Sequence, residues 1–293
     1  MNRLMLRRFV DKVRQVPWEK IVRDTIRSTY LHDCTDAAAA MAFDFVFAIF
    51  PGILVLTALL VIMGIPPDSF KVLLDDIGII VPDTLMDIVE NNIEHLWSSY
   101  QSLFFIGILG VFWPASASMS TTMSALNRAY ETLEERSFWR RRILSIVLVV
   151  GFGVALVFLF NLIVFSEQIE EWLHARWVFF RHVPSLVGIL HRTTGILGTV
   201  VVVACIYRIA PDFRQRWIDV MPGSFLFFVL WTFIAGGFKY YILSFSYYNV
   251  MSGVLGGVIV LLLAAYLVAF TLLLGGELNG ALQRWRRQTA ALA

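Results

Sequence analysis

The sequence predicts an all-α, polytopic membrane helical bundle with six transmembrane helices and both termini in the cytoplasm. Hydrophobic residues make up 58% of the chain and charged residues only 16%, whereas soluble domains carry about 25% charged residues. Six continuous apolar stretches are long enough to cross a bilayer core, which takes roughly 20 helical residues. Basic residues are unequally shared between alternate connecting segments, as expected for a multi-pass membrane protein.

The six spans are separated by the only charge-rich parts of the chain. They are continuously apolar and lack the alternating polarity of transmembrane β-strands, so we expect helices. Together they form a transmembrane domain over residues 37–283, followed by a short tail at residues 284–293. The predicted spans are Ala37–Met63, Leu103–Ala125, Ile143–Phe165, Leu186–Ile209, Val220–Leu243 and Gly253–Gly275.

The basic residues indicate the orientation of the bundle. Nineteen of the 24 Lys and Arg residues fall in or beside connecting segments on the side of the N-terminus, and four fall on the other side. Lys and Arg accumulate in cytoplasmic segments, so both termini are predicted to be cytoplasmic. The alternation holds at every connection, and a missed or false span would have disrupted it.

Residues 1–36 are predicted to form two cytoplasmic amphipathic helices. The first, over residues 3–16, combines a helical apolar face with basic residues on its other faces. The second begins after Pro17, and its apolar residues are Trp18, Ile21, Val22 and Ile26. Such helices can lie in the lipid headgroup layer, where each basic residue adds about 1 kcal/mol of attraction. They can equally pack beneath the bundle, and the sequence leaves both alternatives open.

The connection at residues 64–102 is the largest segment on the outer side. It carries seven acidic residues and one lysine, and the apolar residues from Leu85 to Trp97 are spaced as in an amphipathic helix. We expect a helical cap over the outer mouth of the bundle. Alternatively, the acidic residues only keep the segment soluble, or the segment forms a partner-binding surface.

The sequence shows no recognised catalytic or metal-binding pattern. Its five histidines lack zinc-site spacing, and it contains neither a G-x-S-x-G elbow nor a phosphate-binding glycine loop. The single Glu-x-x-His step, Glu171 to His174, lacks the repeat that a di-iron bundle needs. Cys34 and Cys205 both fall on the predicted reducing side and imply no disulfide. We therefore predict no enzyme activity and no cofactor.

Polar side chains inside the spans are the predicted functional residues. An ionisable group at a helix centre costs about 2.5–3.5 kcal/mol and has to face something polar. Asp44 lies toward the cytoplasmic end of the first span, and Glu277 and Asn279 lie just beyond the inner end of the sixth span. Arg192 and Lys239 lie toward the outside and suit an anionic group. The predicted substrate pathway comprises Asp44, Pro51, Ser116, Ser120, Asn161, Arg192, Lys239 and Glu277.

Each of these features has a purely structural alternative. Arg192 and Lys239 can extend to the outer interface by snorkelling, and Asp44 can hydrogen-bond to a neighbouring helix. The serines, spaced four residues apart, can line an aqueous path or allow close helix packing. Pro51 bends its helix, as prolines do in many transporters and also in static bundles. The G-x-x-x-G step Gly276–Gly280 predicts a tight helix contact.

Several motifs along the chain also resemble those of a known family. In their order and spacing they are similar to the BrkB/YihY family of bacterial inner-membrane proteins, over about residues 15–285. The resemblance implies six spans with both ends inside, a bacterial plasma-membrane location and a transport role for an envelope lipid. The motifs are Ala37–Pro51, Trp113, Ala125–Tyr130, Glu135-Arg136, Pro211-Asp-Phe213, Pro222-Gly223, Tyr240 and Gly253–Asn279.

The sequence therefore leaves three functions open. The first is transport or assisted translocation of an amphipathic or anionic substrate, such as an envelope lipid, through a polar cavity in the bundle. The second is a non-transporting scaffold for envelope integrity. The third is a tRNA-processing ribonuclease, a label that the family has also carried and that the residue chemistry supports least. The expected partners are membrane lipids and envelope proteins, with no nucleic acid, and the sequence indicates no oligomeric state.

Overall fold

The computed structural model describes residues 17–62, 100–164 and 186–291. Every element in these ranges is an α-helix, which confirms the all-α prediction for them. Helices α2 to α5 coincide with the first four predicted spans to within a few residues at each end. The helices are α1 (Trp18–Leu31), α2 (Cys34–Ile62), α3 (Tyr100–Ala129), α4 (Phe138–Val164), α5 (Leu186–Ile209) and α6 (Trp217–Ala291).

The first predicted N-terminal helix and most of the predicted outer cap are not among the described residues. The amphipathic helix expected over residues 3–16 lies outside the described residues, as do residues 64–99 of the expected outer cap. The last three residues of that predicted cap, 100–102, form the beginning of α3.

Helix α6 contains both remaining predicted spans, and its two arms lie side by side. The helical backbone continues through residues 244–252, where the sequence predicts a loop, because that segment contains neither Pro nor Gly. A straight helix would separate Gly223 from Asn279 by about 84 Å at 1.5 Å per residue. Their atoms nevertheless form a 2.7 Å hydrogen bond across 56 positions. The chain therefore reverses direction within α6, as the two-span prediction requires.

Two helical segments in the described part of the chain are long and apolar enough to cross a membrane. They are Trp217–Phe238, with 22 residues, and Gly256–Ala291, with 36 residues, and they form the two arms of α6. Gly195–Ile209 in α5 is a shorter apolar stretch. The count of six spans and the orientation of the termini stay predictions.

Helices α2 and α3 pack along each other through a proline and two glycines. A Cβ atom placed on Gly110 would lie 2.7 Å from the Cβ of Pro51, and one placed on Gly107 would lie 3.1 Å from the Pro51 carbonyl oxygen. Side chains at these glycines would therefore collide with α2. Pro51 lies inside α2 without ending it, and its ring fits against the glycine surface of α3.

Helix α1 packs beneath the bundle, against the C-terminal part of α6. Its buried residues are Ile21, Thr25 and Thr29, and Ile21 clusters with Ala281 and Leu282. The two threonines can be buried because each hydroxyl donates to a carbonyl four residues earlier in its own helix, both at 2.8 Å. This face differs from the predicted one, since Val22 and Ile26 stay exposed. Helix α1 thus packs against the bundle, as one of the two alternatives predicted. Contact of its exposed apolar face with lipid headgroups stays a prediction.

The core of the described bundle is concentrated at one end. It is built from the beginning of α2, the ends of α3 and α5, and parts of both arms of α6. Farther along the helices, large apolar side chains such as Phe47, Leu109 and Phe233 are exposed, each by more than half of its surface. Exposed apolar surface on this scale suits a chain that faces lipid rather than water.

Candidate functional site

Buried polar side chains gather at the same end of the bundle as the core. Since a buried polar group without partners is costly, a concentration of such groups calls for a structural or functional reason. We refer to this group as the basal cluster. Its members are the buried residues Cys34, Asn127, Tyr130, Tyr207, Glu277 and Asn279, together with the partly exposed His32.

Glu277 is a fully buried acidic residue on the second arm of α6. Its Oε1 atom lies 2.7 Å from Nδ1 of His32, in the short connection between α1 and α2, and 3.5 Å from the Sγ of Cys34. Its Oε2 atom is also buried and has no hydrogen-bond partner among the described residues. An ionised carboxylate only accepts hydrogen bonds, so both His32 and Cys34 act as donors to it in that state.

Cys34 is a protected thiol rather than a reactive one. Burial raises its pKa to about 12, and the negative charge of Glu277 and their hydrogen bond act in the same direction. Because the thiolate is the nucleophilic form of cysteine, this side chain is poorly suited to covalent catalysis near neutral pH. It serves as a donor to Glu277.

Asn279, two residues beyond Glu277, joins the two arms of α6. Its Oδ1 accepts the backbone N–H of Gly223 at 2.7 Å, and its Nδ2 donates to the carbonyl of Val220 at 3.1 Å. A Cβ on Gly223 would collide with the backbone of Gly275 and with the Asn279 side chain. Glycine is therefore needed at this crossing.

Two tyrosines extend the cluster between the helices. The hydroxyl of Tyr207, on α5, donates to the carbonyl of Leu272 at 2.6 Å. The hydroxyl of Tyr130, just after α3, is buried beside Gln215 and Asn279, with no hydrogen bond of good geometry in the described part of the chain. Both rings belong to the apolar core, with their polar ends directed into the cluster.

The connection between α3 and α4 is held by a network of four charged and polar residues. Asn127 donates to Glu134 at 2.8 Å and accepts the backbone N–H of Asp212 at 2.8 Å. Arg136 forms two bonds to Glu134, at 2.6 and 2.9 Å, and a third to the carbonyl of Ala210 at 2.9 Å. Burial acts to raise the pKa of Glu134, but the bonds and charge of Arg136 outweigh it and lower that pKa. The network ties the ends of α3 and α5 together.

Several arginines at this end cap helix C-termini. Arg284 donates to the carbonyl of Ala129 at 2.7 Å and to Ser28 at 2.8 Å, and Arg128 donates to the carbonyl of His32 at 3.1 Å. The last carbonyls of a helix lack intrahelical partners and carry partial negative charge, so cations stabilise them. These residues, which the sequence assigned to membrane topology alone, therefore also hold helices together.

Of the predicted pathway residues, the structure places Glu277 in the basal cluster. Asp44 is half-buried and lies ten residues beyond Cys34 on α2, about 15 Å along the helix. The charge of Arg142, at the beginning of α4, acts on it. The two acids predicted for the inner half are thus separated along the bundle, and Asn279 alone accompanies Glu277.

The other described pathway residues make structural contacts. Pro51 packs against the glycines of α3, and Ser116 is buried and donates to the carbonyl of Trp113 at 3.0 Å. The Ser120 carbonyl accepts from Arg141 at 2.8 Å, and the Ser124 hydroxyl is bonded to the same guanidinium. Ser120 and Ser124 thus contact the same arginine of α4. The side chains of Asn161, Arg192 and Lys239 lie outside the described residues.

Sequence reasoning did not select His32, Asn127, Tyr130, Arg136 or Arg284 as site residues. No local pattern marks them, since each contacts residues far away in the chain. A usable signal did exist, because Asn127, Tyr130 and Arg136 lie within the motifs that carry the family resemblance. Residues of those motifs in α3, in α6 and in the connections after α3 and α5 meet at this end of the bundle.

Comparison with known proteins identifies similar chains. A family profile described as "Virulence factor BrkB" matches residues 25–292. The protein YfkH of Bacillus subtilis (strain 168), whose name describes it as ribonuclease-like, is 28% identical over 266 residues, covering 88% of this chain and 93% of that protein. No solved structure matches the chain at a significant level.

Two longer relatives are named as membrane proteins. The UPF0761 membrane protein of Tolumonas auensis is 27% identical over 181 residues, which cover 62% of this chain and 58% of that protein. The UPF0761 membrane protein of Nitrosospira multiformis is 24% identical over 264 residues, covering 88% of this chain and 59% of that protein. The matched region therefore spans about three fifths of both relatives.

Proposed function

Because the chain belongs to the BrkB family of membrane proteins, we propose that it transports, or helps to translocate, an amphipathic or anionic substrate such as an envelope lipid. One observation carries the proposal. Glu277 is a fully buried acidic residue of the bundle, and one of its carboxylate oxygens has no partner in the described part of the chain. Ionisable residues inside membrane domains are costly, and they mark substrate or ion pathways more often than packing sites.

The proposed topology has six spans with both termini in the cytoplasm of a bacterial plasma membrane. It is supported by the contact of α1 with the C-terminal part of α6, where Arg284 bonds to Ser28. That contact brings the two ends of the described chain to the same side of the bundle, as an even number of spans requires. The basal cluster then closes the cytoplasmic end, and the substrate path runs beyond it, between Asp44 and the outer residues Arg192 and Lys239.

A reconstitution assay tests the proposal. The full chain is incorporated into liposomes that contain fluorescently labelled phospholipid, and the label in the outer leaflet is quenched at successive times. We expect faster transbilayer movement than in protein-free liposomes, and slower movement with Asp44→Asn. Asp36→Asn, an exposed change on the same helix, is the matched control and leaves the rate unchanged. Wild-type liposomes that move no lipid faster than empty ones would contradict the proposal.

A scaffold function is the second candidate, and the close helix crossings favour it. Backbones meet without intervening side chains where Gly223 crosses Gly275 and where Gly280 meets Ala129, as expected for a bundle that holds a single arrangement. In living cells, cross-linking to a stable envelope partner, together with inactivity in the liposome assay, would favour the scaffold over the transporter.

A further inference from the structure

The Glu277–His32 pair connects the buried interior of the bundle to its surface. The side chain of Glu277 is 0% exposed, whereas that of His32 is 20% exposed, and their Oε1 and Nδ1 atoms are 2.7 Å apart. The imidazole therefore contacts solvent on one side and a fully buried carboxylate on the other. Histidine is the side chain whose ordinary titration falls nearest neutral pH, so this arrangement is suited to carrying a proton inward.

The groups around the pair come from every element that packs against it. Cys34 of α2 donates to Glu277. Arg128 of α3 binds the His32 carbonyl, and its charge reaches Cys34, as does that of Asp33. The Tyr130 hydroxyl, which follows α3, is close enough to be affected by the charges of Glu277 and of Asp219 on the first arm of α6.

Among these groups, His32 is the ion-pair partner of Glu277 in the described residues. Arg128 binds a backbone carbonyl instead, and Arg284 is paired with Glu131 at 3.6 Å. A buried carboxylate with a permanent arginine partner would stay ionised, since a guanidinium does not titrate in proteins. The partner here is a group that can lose its proton, so the charge of the pair can change.

We propose that Glu277 is a proton-binding site loaded through His32, and that the proton is the coupling ion of the transporter. This inference rests on the proposed transport function. A neutral His32 with its proton on Nδ1 takes up a solvent proton at its other ring nitrogen, Nε2, and the Nδ1 proton of the resulting imidazolium passes to Oε1 of Glu277. A neutral ring protonated at Nε2 and a neutral carboxylic acid remain, and the proton is unloaded by the same route in reverse. No electrons move and no further reactant is needed.

Proton loading changes the contacts that close this end of the bundle. A neutral Glu277 no longer attracts a charged His32 or accepts two bonds as a carboxylate, so the hold on the α1–α2 connection weakens. Cys34 lies beside the pair and is one of only two cysteines in the chain. Its exposure therefore reports the state of the cluster directly.

The test measures thiol labelling of Cys34 in the full-length Cys205→Ser protein in liposomes. An uncharged thiosulfonate reagent is added at several values between about pH 5 and 8, the range in which histidine changes charge. Each rate is divided by that of detergent-unfolded protein at the same pH, which removes the pH dependence of an ordinary exposed thiol. We expect strong protection at the upper end of the range and about tenfold less protection at the lower end, as a local opening would give.

Two variants make the result specific. Glu277→Gln mimics the protonated acid, so we expect Cys34 to be labelled quickly at every pH. Glu135→Gln, an exposed change in the α3–α4 connection, is the control and should keep the wild-type profile. A flat profile in the wild type, or the same pH dependence in Glu277→Gln, would overturn the inference.

A second readout covers the case in which Glu277→Gln does not fold. Infrared difference spectra of the wild type between the two ends of the pH range should then show a carboxylic acid C=O band that forms on acidification and that is weakened in His32→Gln. No such band would overturn the inference. Neither measurement requires transport, so a titrating pair in a protein that moves no lipid would refute the proposed function and leave the proton site standing.

Discussion

Asn279 accepts the backbone N–H of Gly223 at 2.7 Å and so fastens together the two arms of α6. The same amide donates to Val220, and both contacts flank Pro222, whose ring removes a backbone donor and disturbs the preceding turn. A side chain from one arm thus bonds to backbone groups on both sides of the proline in the other arm. The Pro-Gly and Gly-Gly-Glu-Leu-Asn motifs consequently form one structural unit, although they lie far apart in the sequence.

Removing the Asn279 amide should destabilise the protein. Asn279→Ala removes the two hydrogen bonds to Gly223 and Val220, and at about 1 kcal/mol each we expect a loss of about 2 kcal/mol. Thermal unfolding in detergent, followed by circular dichroism, measures the loss as a lower Tm. The control is Gln288→Ala, an exposed change on the same helix that should leave Tm unchanged. Equal Tm values for the two variants would contradict the bridging role.

Position 280, which is a glycine, should not tolerate a side chain. A Cβ there collides with the backbone carbonyl of Ala129, which cannot move away as a flexible side chain could, so Gly280→Ala should cost about 1–3 kcal/mol. Gly237→Ala is the matched change, because no atom lies within 4 Å of its added Cβ. It should be neutral, or stabilising by up to about 1 kcal/mol through helix propensity. The same unfolding measurement compares them, and a reversed order would show that α3 and α6 do not cross here.

Two arginines near the end of α6 should differ sharply in importance. Arg284 is largely buried and caps α3 through the Ala129 carbonyl while also binding Ser28, so Arg284→Ala should cost about 2 kcal/mol. Arg286 pairs with Asp219, but its side chain is 47% exposed, and exposed pairs contribute about 0–1 kcal/mol. Arg286→Ala should therefore change Tm little. Similar losses in both variants would refute the capping role of Arg284.

Stability should depend on the charge of Glu134. Its pKa is lowered in the folded protein, so its contribution is present above the unfolded value of about 4.3 and is lost as the pH falls through the lower folded value. At neutral pH, Glu134→Gln should have a lower Tm than the wild type, by the equivalent of about 1–2 kcal/mol. The difference should shrink below about pH 4. Glu135→Gln should show no such pH-dependent difference, and a constant gap for Glu134→Gln would contradict the assignment.

Local patterns were sufficient to predict where the helices lie. The predicted bounds of α5, Leu186–Ile209, agree with the structure because a mostly apolar segment ends just before Pro211. The loop expected at residues 244–252 is helical instead, since a polar interruption without Pro or Gly does not have to break a helix. Reversal of the chain within α6 became visible only through contacts between the two arms.

The basal cluster was beyond sequence reasoning because its contacts depend on the lateral order of the helices. His32 and Glu277 are 245 positions apart, and Asn127 and Asp212 are 85 apart. The position of Glu277 near the cytoplasmic end was predictable from its distance to the end of the span. The residues that contact it were not predictable in this way. The serines of α3 were predicted to line a pathway because their hydroxyls share one helix face. In the structure Ser116 bonds within its own helix and Ser124 bonds to Arg141 of α4, and a role of these serines in a pathway stays a prediction.

In the proposed transporter, lipid movement depends on the buried carboxylate of Glu277. The most direct test compares transbilayer movement of labelled phospholipid in liposomes that contain equal amounts of folded wild type, Glu277→Gln or Glu135→Gln. We expect the wild type and Glu135→Gln to accelerate lipid movement equally, and Glu277→Gln to lose the acceleration or its dependence on a pH gradient. Full gradient-dependent activity in Glu277→Gln would contradict it.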